Sequence, residues 1–539
     1  MRAVRLLSFL LFVLAVPLAP AAAQGGNDTV AATLEMMIDQ GEVASGSDAD
    51  DQQIFEVYGF YSDRLFKPIW VRDDGPKTKG WSMLSVLRFA GDDGLEPSDY
   101  HVAELEKLIE SADPVGLAHF EILMTRAFLD YASDLASGRT IPKEVDSELD
   151  ISPAPPPAKT ILEGAEAAED IAPYVETLAP STYEYARLKK TLADYRKIER
   201  EGGFPIVPDD EVLKPGMDQP RVEELRRFLV AAGDVEAARA GGGTVYDDGL
   251  VEAVKHFQER HGLEIDGVIG PSTLAEINTP VSARIATILL NMERRRWMND
   301  DLGRRYVFVN LADQFLKVVE NDKTIHAARL VVGKPFHRTP VFSDLMEYAV
   351  INPEWNVPPS IGRNELLPQL RKNPGALAAQ NIRVLANGVE VNPYAVDWNA
   401  IAPGNLRYSF RQDSGTRNAL GVIKFMFPNK YNVYIHDTPS KGLFARATRT
   451  FSHGCMRVQY PLDLGAVLLG PAGWDKAKIE QVVRSGRKTV VRLAEPIPVH
   501  VTYLTAWTNK DGTVNFRKDV YDRDARLEKA LEKSRLTRS

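Results

Sequence analysis

The 539-residue sequence predicts a multidomain α+β fold: an α-helical N-terminal scaffold, a small three-helix module, and a mostly-β C-terminal domain with a helical capping insert. Three observations carry this expectation. Apolar residues recur at three- and four-residue spacing from Gln52 to the Gly202-Gly203 pair, the period of helices with one buried face. From about Arg304 the period becomes two, as on strands with one buried face. Between Pro358 and Phe410 a polar, proline-broken stretch with helical spacing interrupts the strands; an insertion of that length in a β domain is usually functional.

Composition bounds the class. With 44% hydrophobic and 26% charged residues the chain can bury sizeable cores. A net charge of -9 gives no sign of nucleic-acid binding, which shows as a basic domain. Residues 1–23 read as a secretory signal, with Arg2 and Arg5, an apolar run from Leu6 to Val16, and Ala21-Ala22-Ala23 as the cleavage site. An uncleaved membrane anchor is the alternative, although Pro17 and Pro20 break the run short of the roughly 20 residues a span needs. The expected location is periplasmic, with no stable membrane span once the signal is cleaved.

Residues 24–51 are rich in Gly, Ala, Ser and Asp and are expected to be a disordered linker. The scaffold spans 52–204 and shows no catalytic cluster. Its helices include "HVAELEKLIESA", "HFEILMTRAFLDYASDLASG" and "STYEYARLKKTLADYRKIEREGG", and "SPAPPPAK" between them reads as an extended connector. In 205–280, Val222, Leu225, Phe228 and Leu229 make one helical stripe and Leu250, Ala253, Val254 and Phe257 a second. A third helix opens at Pro271-Ser272-Thr273. "RYVFVNLADQFLKVVE" and "KTIHAARLVVG" predict two strands joined at Asn321-Asp322, within a β domain over 304–495. Leu366, Leu367 and Leu370 of the 358–410 insert are expected to close on that domain or on a substrate. The remainder, 496–539, is expected to be a strand and a charged, solvated helix.

Cys455 is the only cysteine. Exported proteins use cysteine mainly in disulfides, so a lone one is a bystander, an intermolecular bridge or a reactive thiol. His436 ends the strand-like "YNVYIH" nineteen residues earlier, and could take the thiol proton if the two segments lie side by side. "PLDLGAVLLG" predicts a helix whose N-terminal amides would favour a thiolate. Gly454 allows a tight turn that presents its own N–H and that of Cys455 as an oxyanion hole. Alternation puts Arg457 on the same face, to hold a carboxylate or brace the loop. His436 and His453 bracket the thiol; His101, His119, His256, His261, His326, His337 and His500 are structural by default. A zinc site is a poor alternative, because two histidines and one cysteine lack a fourth ligand.

Two resemblances follow from these stretches. "AVKHFQERHGLEIDGVIGPSTLAEIN" resembles the three-helix peptidoglycan-binding module of cell-wall enzymes. "SHGCMRV", preceded by "YIHDTPSKGLF", resembles the signature of the L,D-transpeptidases. With "EWNVPPSI" and "KFMFPNKYNVYIHDTP", it is similar to their large subclass, which has a scaffold, a wall-binding module and a capping loop. That resemblance implies Cys455 as nucleophile, His436 as base, Gly454 with Cys455 as oxyanion donors, Ser452 and His453 shaping the pocket, and Arg457 supporting the motif. It implies 3-3 cross-linking of peptidoglycan through a thioester on tetrapeptide stems, which serve as donor and acceptor, with no metal or cofactor. Cell-wall synthases are expected partners. An L,D-carboxypeptidase of the same shape and a non-catalytic wall-binding scaffold stay open.

Overall fold

The computed structural model describes residues 29–42, 51–298 and 300–538. The expected signal segment lies outside the described residues. Among the described residues no helix is long and apolar enough to cross a membrane.

The N-terminal scaffold is helical, as its periodicity predicts, apart from a small hairpin of β1 (Val71–Arg72) and β2 (Gly75–Pro76). Its central helix, Pro114–Ser137, starts from Asp113, whose carboxylate accepts from the Val115 and Gly116 N–H groups. That cap satisfies donors the first turn leaves free. Residues 30–39, expected to be part of a disordered linker, form a helix capped by Thr29, with Val30, Leu34 and Met37 buried in the scaffold core. Three apolar residues at helical spacing outweigh the linker-like composition around them. Helix Tyr183–Arg200 leaves that core. It packs with helix Val281–Arg296 and with a hairpin from the far end of the chain, β16 (Ala506–Thr508) and β17 (Val514–Phe516).

The module's helices are Val222–Ala231, Asp248–Arg260 and Pro271–Ile277, around Phe228, Phe257 and Ile269. It is joined to hairpin β16–β17 by stacked rings, with His261 3.9 Å from Phe257 and 5.7 Å from Phe516 between centroids. The Arg517 guanidinium bridges the joint, donating to Arg260 O at 2.8 Å and pairing with Asp313 at 2.6 Å.

The C-terminal domain is built on nine strands: β3 (Arg305–Asn310), β4 (Phe315–Glu320), β5 (Lys323–Gly333), β6 (Phe342–Ile351), β11 (Ile423–Met426), β12 (Ile435–His436), β13 (Thr450–Ser452), β14 (Met456–Val458) and β15 (Thr489–Thr502). Their order is β13-β5-β14-β12-β11-β6-β15-β3-β4, and β4 pairs β5 again, so the sheet curls back on itself. Asn321 and Asp322 both adopt left-handed φ, at 48° and 60°, the turn expected between β4 and β5. Alternation sends Val307, Val309, Leu330, Phe425, Ile435, Met456 and Val458 into one core, closed by Leu464, Leu468 and Ile479 from two following helices.

The insert departs from expectation. Residues 355–412 contain their own sheet, β7 (Trp355–Asn356), β10 (Tyr408–Gln412), β8 (Ile382–Ala386) and β9 (Val389–Glu390), in that order. Asn387-Gly388, both at positive φ, turns β8 into β9. Leu366, Leu367 and Leu370 are at most 4% exposed and pack with Trp398, Val384 and Phe410. They therefore serve the insert's own core and do not close on the nine-stranded sheet.

The C-terminal segment also differs. β15 begins at Thr489, before the expected border at 496, and pairs β6 and β3 in the middle of the sheet. Helix Arg523–Arg538 is not wholly solvated. Leu527 is buried in the catalytic core, and Arg523 lies against Asp146 at 3.4 Å and Glu148 at 3.2 Å, carboxylates of the segment that leaves the scaffold.

Candidate active site

Two register facts bring the expected pair together. β12 and β14 run parallel with His436 opposite Arg457, and β11 places Lys424 opposite His436. Side chains alternate faces along strands, so Lys424, Tyr434, His436, Cys455 and Arg457 share the face away from the core. Their neighbours Phe425, Ile435 and Met456 fill the core on the other side.

Cys455 follows a turn that needs glycine: Gly454 has φ +113°, a conformation side chains disfavour. The Ser452 hydroxyl donates to Cys455 O at 2.6 Å and accepts the Gly454 N–H at 3.1 Å. From the other side, buried Thr339 donates to Gly454 O at 2.8 Å. These bonds fix where the thiol points. The Gly454 N–H is thereby engaged by Ser452.

The thiol is half-buried and donates to Asn432 O at 3.8 Å. Asn429 shapes that loop, accepting from the Tyr431 and Val433 N–H groups and donating to Phe427 O and Val433 O. The protein packed around the thiol pushes its pKa up, opposed by the Tyr434 amide and phenol and by the charges of Arg457 and Lys424. Tyr434 is raised in turn, by burial and then by the neighbouring sulfur. The helix expected to favour a thiolate, Pro461–Leu469, begins only after β14 has carried the chain away from Cys455. A helix-end charge fades within about one turn, so the cations replace it.

His436 is buried, and its Nδ1 lies 2.5 Å from Asp437 O. A carbonyl only accepts, so Nδ1 carries the proton and Nε2 is left as an acceptor. Burial first, then Arg457 and Lys424, hold its pKa down at about 3, so the ring is neutral. Asp437 is anchored by accepting from the Val422 and Thr438 N–H groups, at 2.9 and 2.6 Å. Among the described residues Cys455 and His436 share a face without a hydrogen bond between them.

Arg457 points a buried Nε that has no partner, and burial lowers its pKa. His453 takes another direction: its Nε2 lies 2.6 Å from the Glu365 carboxylate of the insert, and its ring 5.1 Å from His337. Burial lowers its pKa, with Glu365 opposing. Sequence reasoning passed over Lys424, Tyr434 and Glu365. Strand alternation in "IKFM" and "YNVYIH" carried the first two. Glu365 has no local signal, because its partner is 88 residues on and its segment, 362–366, is a π-helical turn, a form common at functional sites. Among the described residues no group of three or more His, Cys, Asp or Glu side chains is placed to hold a metal ion.

A lone thiol and a neutral histidine lie on one polar sheet face, flanked by two cations, and the inserted subdomain reaches the neighbouring His453 through Glu365. Comparison with known families is specific. Residues 304–469 match the family model of the L,D-transpeptidase catalytic domain, 218–277 that of the "Putative peptidoglycan binding domain", and 56–192 that of the scaffold domain. A curated protein of Haemophilus influenzae, called "Putative L,D-transpeptidase", is 33% identical over 241 residues, covering 44% of this chain. The chain spans about half, 48%, of that relative's length. Among solved structures, an L,D-transpeptidase from Xylanimonas cellulosilytica is 14% identical, with 55% of this chain and 98% of that one covered and a TM-score of 0.17. The Ldtfm–avibactam carbamoyl enzyme is 12% identical, covering 41% and 61%, at a TM-score of 0.18. Nothing further is built on likenesses that low.

Proposed function

We propose that the chain is an exported L,D-transpeptidase that forms 3-3 cross-links in peptidoglycan. The observation that carries this reading is that the single thiol and a neutral His436, whose Nε2 is an acceptor, lie on the same sheet face within the region matching the L,D-transpeptidase catalytic domain.

The Cys455 sulfur attacks the carbonyl carbon between the third stem residue and the terminal D-Ala, and its proton passes to His436 Nε2. The C–N bond breaks, His436 returns the proton to the leaving D-Ala amine, and a thioester remains. The amine of a neighbouring stem attacks that thioester; its lost proton passes through His436 and the thiol is restored. A thiolate leaves readily, so transfer to an amine can compete with water. Resting His436 is a weak base because Arg457 and Lys424 face it in a buried setting. A stem carboxylate paired with Arg457 would cancel part of that positive charge and raise the basicity of His436 only when substrate is present. The Cys455 N–H would receive the oxyanion, and Ser452 and Gly454 position the turn.

The test is incubation of the purified full chain with disaccharide-tetrapeptide and mass spectrometry of the products. Cross-linked dimer supports transfer; free D-Ala with no dimer supports the carboxypeptidase reading; an unchanged substrate supports a wall-binding scaffold. Cys455→Ala should abolish product, and His436→Ala should lower the rate by roughly 10²- to 10⁴-fold. A folded Cys455→Ala protein that still cross-links would sink the mechanism.

A further inference from the structure

Strands β3 and β4 of the same sheet carry on their outer face a cavity that this chemistry leaves unused. The outer face of β3 and β4 presents Tyr306, Phe308 and Phe315, which alternate with the core residues Val307, Val309 and Leu316. Trp507 and Tyr183 stand over them, from hairpin β16–β17 and from the scaffold helix, and the space between measures about 390 Å³. A second hollow of about 260 Å³ adjoins it and shares Arg295, Tyr306 and Tyr183. Phe308, Phe315 and Trp507 line this hollow together, an aromatic wall on the outer side of the sheet.

Arg295 stands where the two hollows meet. The residue is 7% exposed, its Nε is buried with no hydrogen-bond partner, and its Nη1 has only the Met298 sulfur, at 3.8 Å. Among the described residues it makes no ion pair; Glu184, which lines both hollows, is the carboxylate that acts on its charge. Buried guanidinium groups are normally paired, because desolvating an unpaired one is costly. Arg260 is, with Asp234 at 2.5 Å, and so is Arg294, with Asp524 at 2.5 Å. An unpaired one beside aromatic walls is what a site for an outside anion looks like.

We propose that this cavity is a second glycan site, holding an amino-sugar strand by stacking on Tyr306, Phe308 and Trp507 and by a carboxylate on Arg295. Sugar rings offer an apolar C–H face to an aromatic wall and hydroxyls at the rim, where Asn310, Thr324 and Asn509 lie. The carboxylate can be the lactyl group of a peptide-free muramic residue or a carboxylate of an attached stem. The site's role is to hold a strand at β3 and β4, outside the residues around Cys455; its identity as a wall site rests on the function proposed above.

The test titrates the full-length Cys455→Ala protein, by calorimetry, with three probes: the N-acetylglucosaminyl-muramic disaccharide with a free lactyl group, the same disaccharide carrying a stem, and the two-sugar chitin unit without a carboxylate. The free-lactyl or stem-bearing disaccharide should bind at least 10-fold more tightly than the chitin unit, and the tighter of the two names the source of the carboxylate. Arg295→Met should remove that advantage, and Trp507→Ala should weaken all three probes, with circular dichroism unchanged. Should Arg295→Met fail to fold, Trp507→Ala and Phe308→Ala decide alone. Equal binding of all three probes, no binding at millimolar concentration, or affinities that Arg295 and Trp507 leave unmoved would overturn the site, the last pointing to the three-helix module. Disaccharide binding that depends on Arg295, in a protein whose intact Cys455 yields no product from stems, would keep the site and remove the transpeptidase reading.

Discussion

The insert and the three-helix module are both small units attached to the catalytic domain, yet they are attached in opposite ways. The insert keeps a core of its own, with Leu367, Leu370, Trp398 and Phe410 facing inward. It meets the Cys455 loop through the ion pair of Glu365 with His453, and at its base Glu354 pairs with Lys488, the residue before β15, at 2.8 Å. The module also has a core, but its ring stack runs on through His261 into Phe516, and Arg517 spans the joint. Partly exposed ion pairs cost little to break, whereas shared buried aromatic area does not. From that difference we propose that the insert is the part that moves over Cys455 and the module the part that stays.

The largest effect should come from breaking the module's joint. Phe257→Ala removes a 1% exposed ring that touches both Phe228 and His261. It should cost about 3–5 kcal/mol and lower one common thermal transition. A calorimetric trace in which the module melts alone, with the catalytic transition unmoved, would break the comparison.

Leu370→Ala should cost about 2–5 kcal/mol, confined to the insert. Hydrogen exchange over 359–410 should rise while the β3–β6 amides keep their protection. Loss of protection in both places would mean that the insert is as firmly joined as the module.

Acid should act on the catalytic sheet next. His436 has its folded pKa pressed below the value of an unfolded histidine, to about 3, so the unfolded chain binds the extra proton. Its neutral form therefore contributes stability that is full above pH 6.5 and is lost as pH falls towards 3. Between pH 6.5 and 4.5 that loss is about 2–3 kcal/mol. Denaturant midpoints should fall over that window in the parent and stay flatter in His436→Gln; identical slopes would count against a buried neutral ring.

The smallest effect tests the insert's latch. Glu365→Gln removes the charge from a pair whose side chains are 46% and 30% exposed. It should change stability by no more than about 1 kcal/mol. The readout is exchange in 359–372, faster by up to about fivefold, and a shift of products from dimer towards free D-Ala. An unchanged product ratio would take the insert out of the chemistry.

By itself the sequence determined what neighbouring residues decide. The helical period of the scaffold and the alternation of β3 to β6 follow from side chains a few positions apart. The φ at Gly454 is a local demand for a residue without a Cβ, and Cys455 is alone by simple count. The same local rules could have read Lys424 and Tyr434 from their strands and the Asn387-Gly388 turn inside the insert. Tertiary structure decided everything that depends on what packs from far away. Leucines at 366, 367 and 370 look the same in sequence whether they face a catalytic sheet or their own small core. The neutral state of His436 is set by burial and by Arg457 and Lys424, which reach it only through strand register. Arg523 reads as a charge on a solvated helix until Asp146, 377 residues earlier, is folded against it. Periodicity and turn chemistry are written within one or two turns of chain. Desolvation and charge pairing are sums over neighbours in space, and only the folded chain chooses those neighbours.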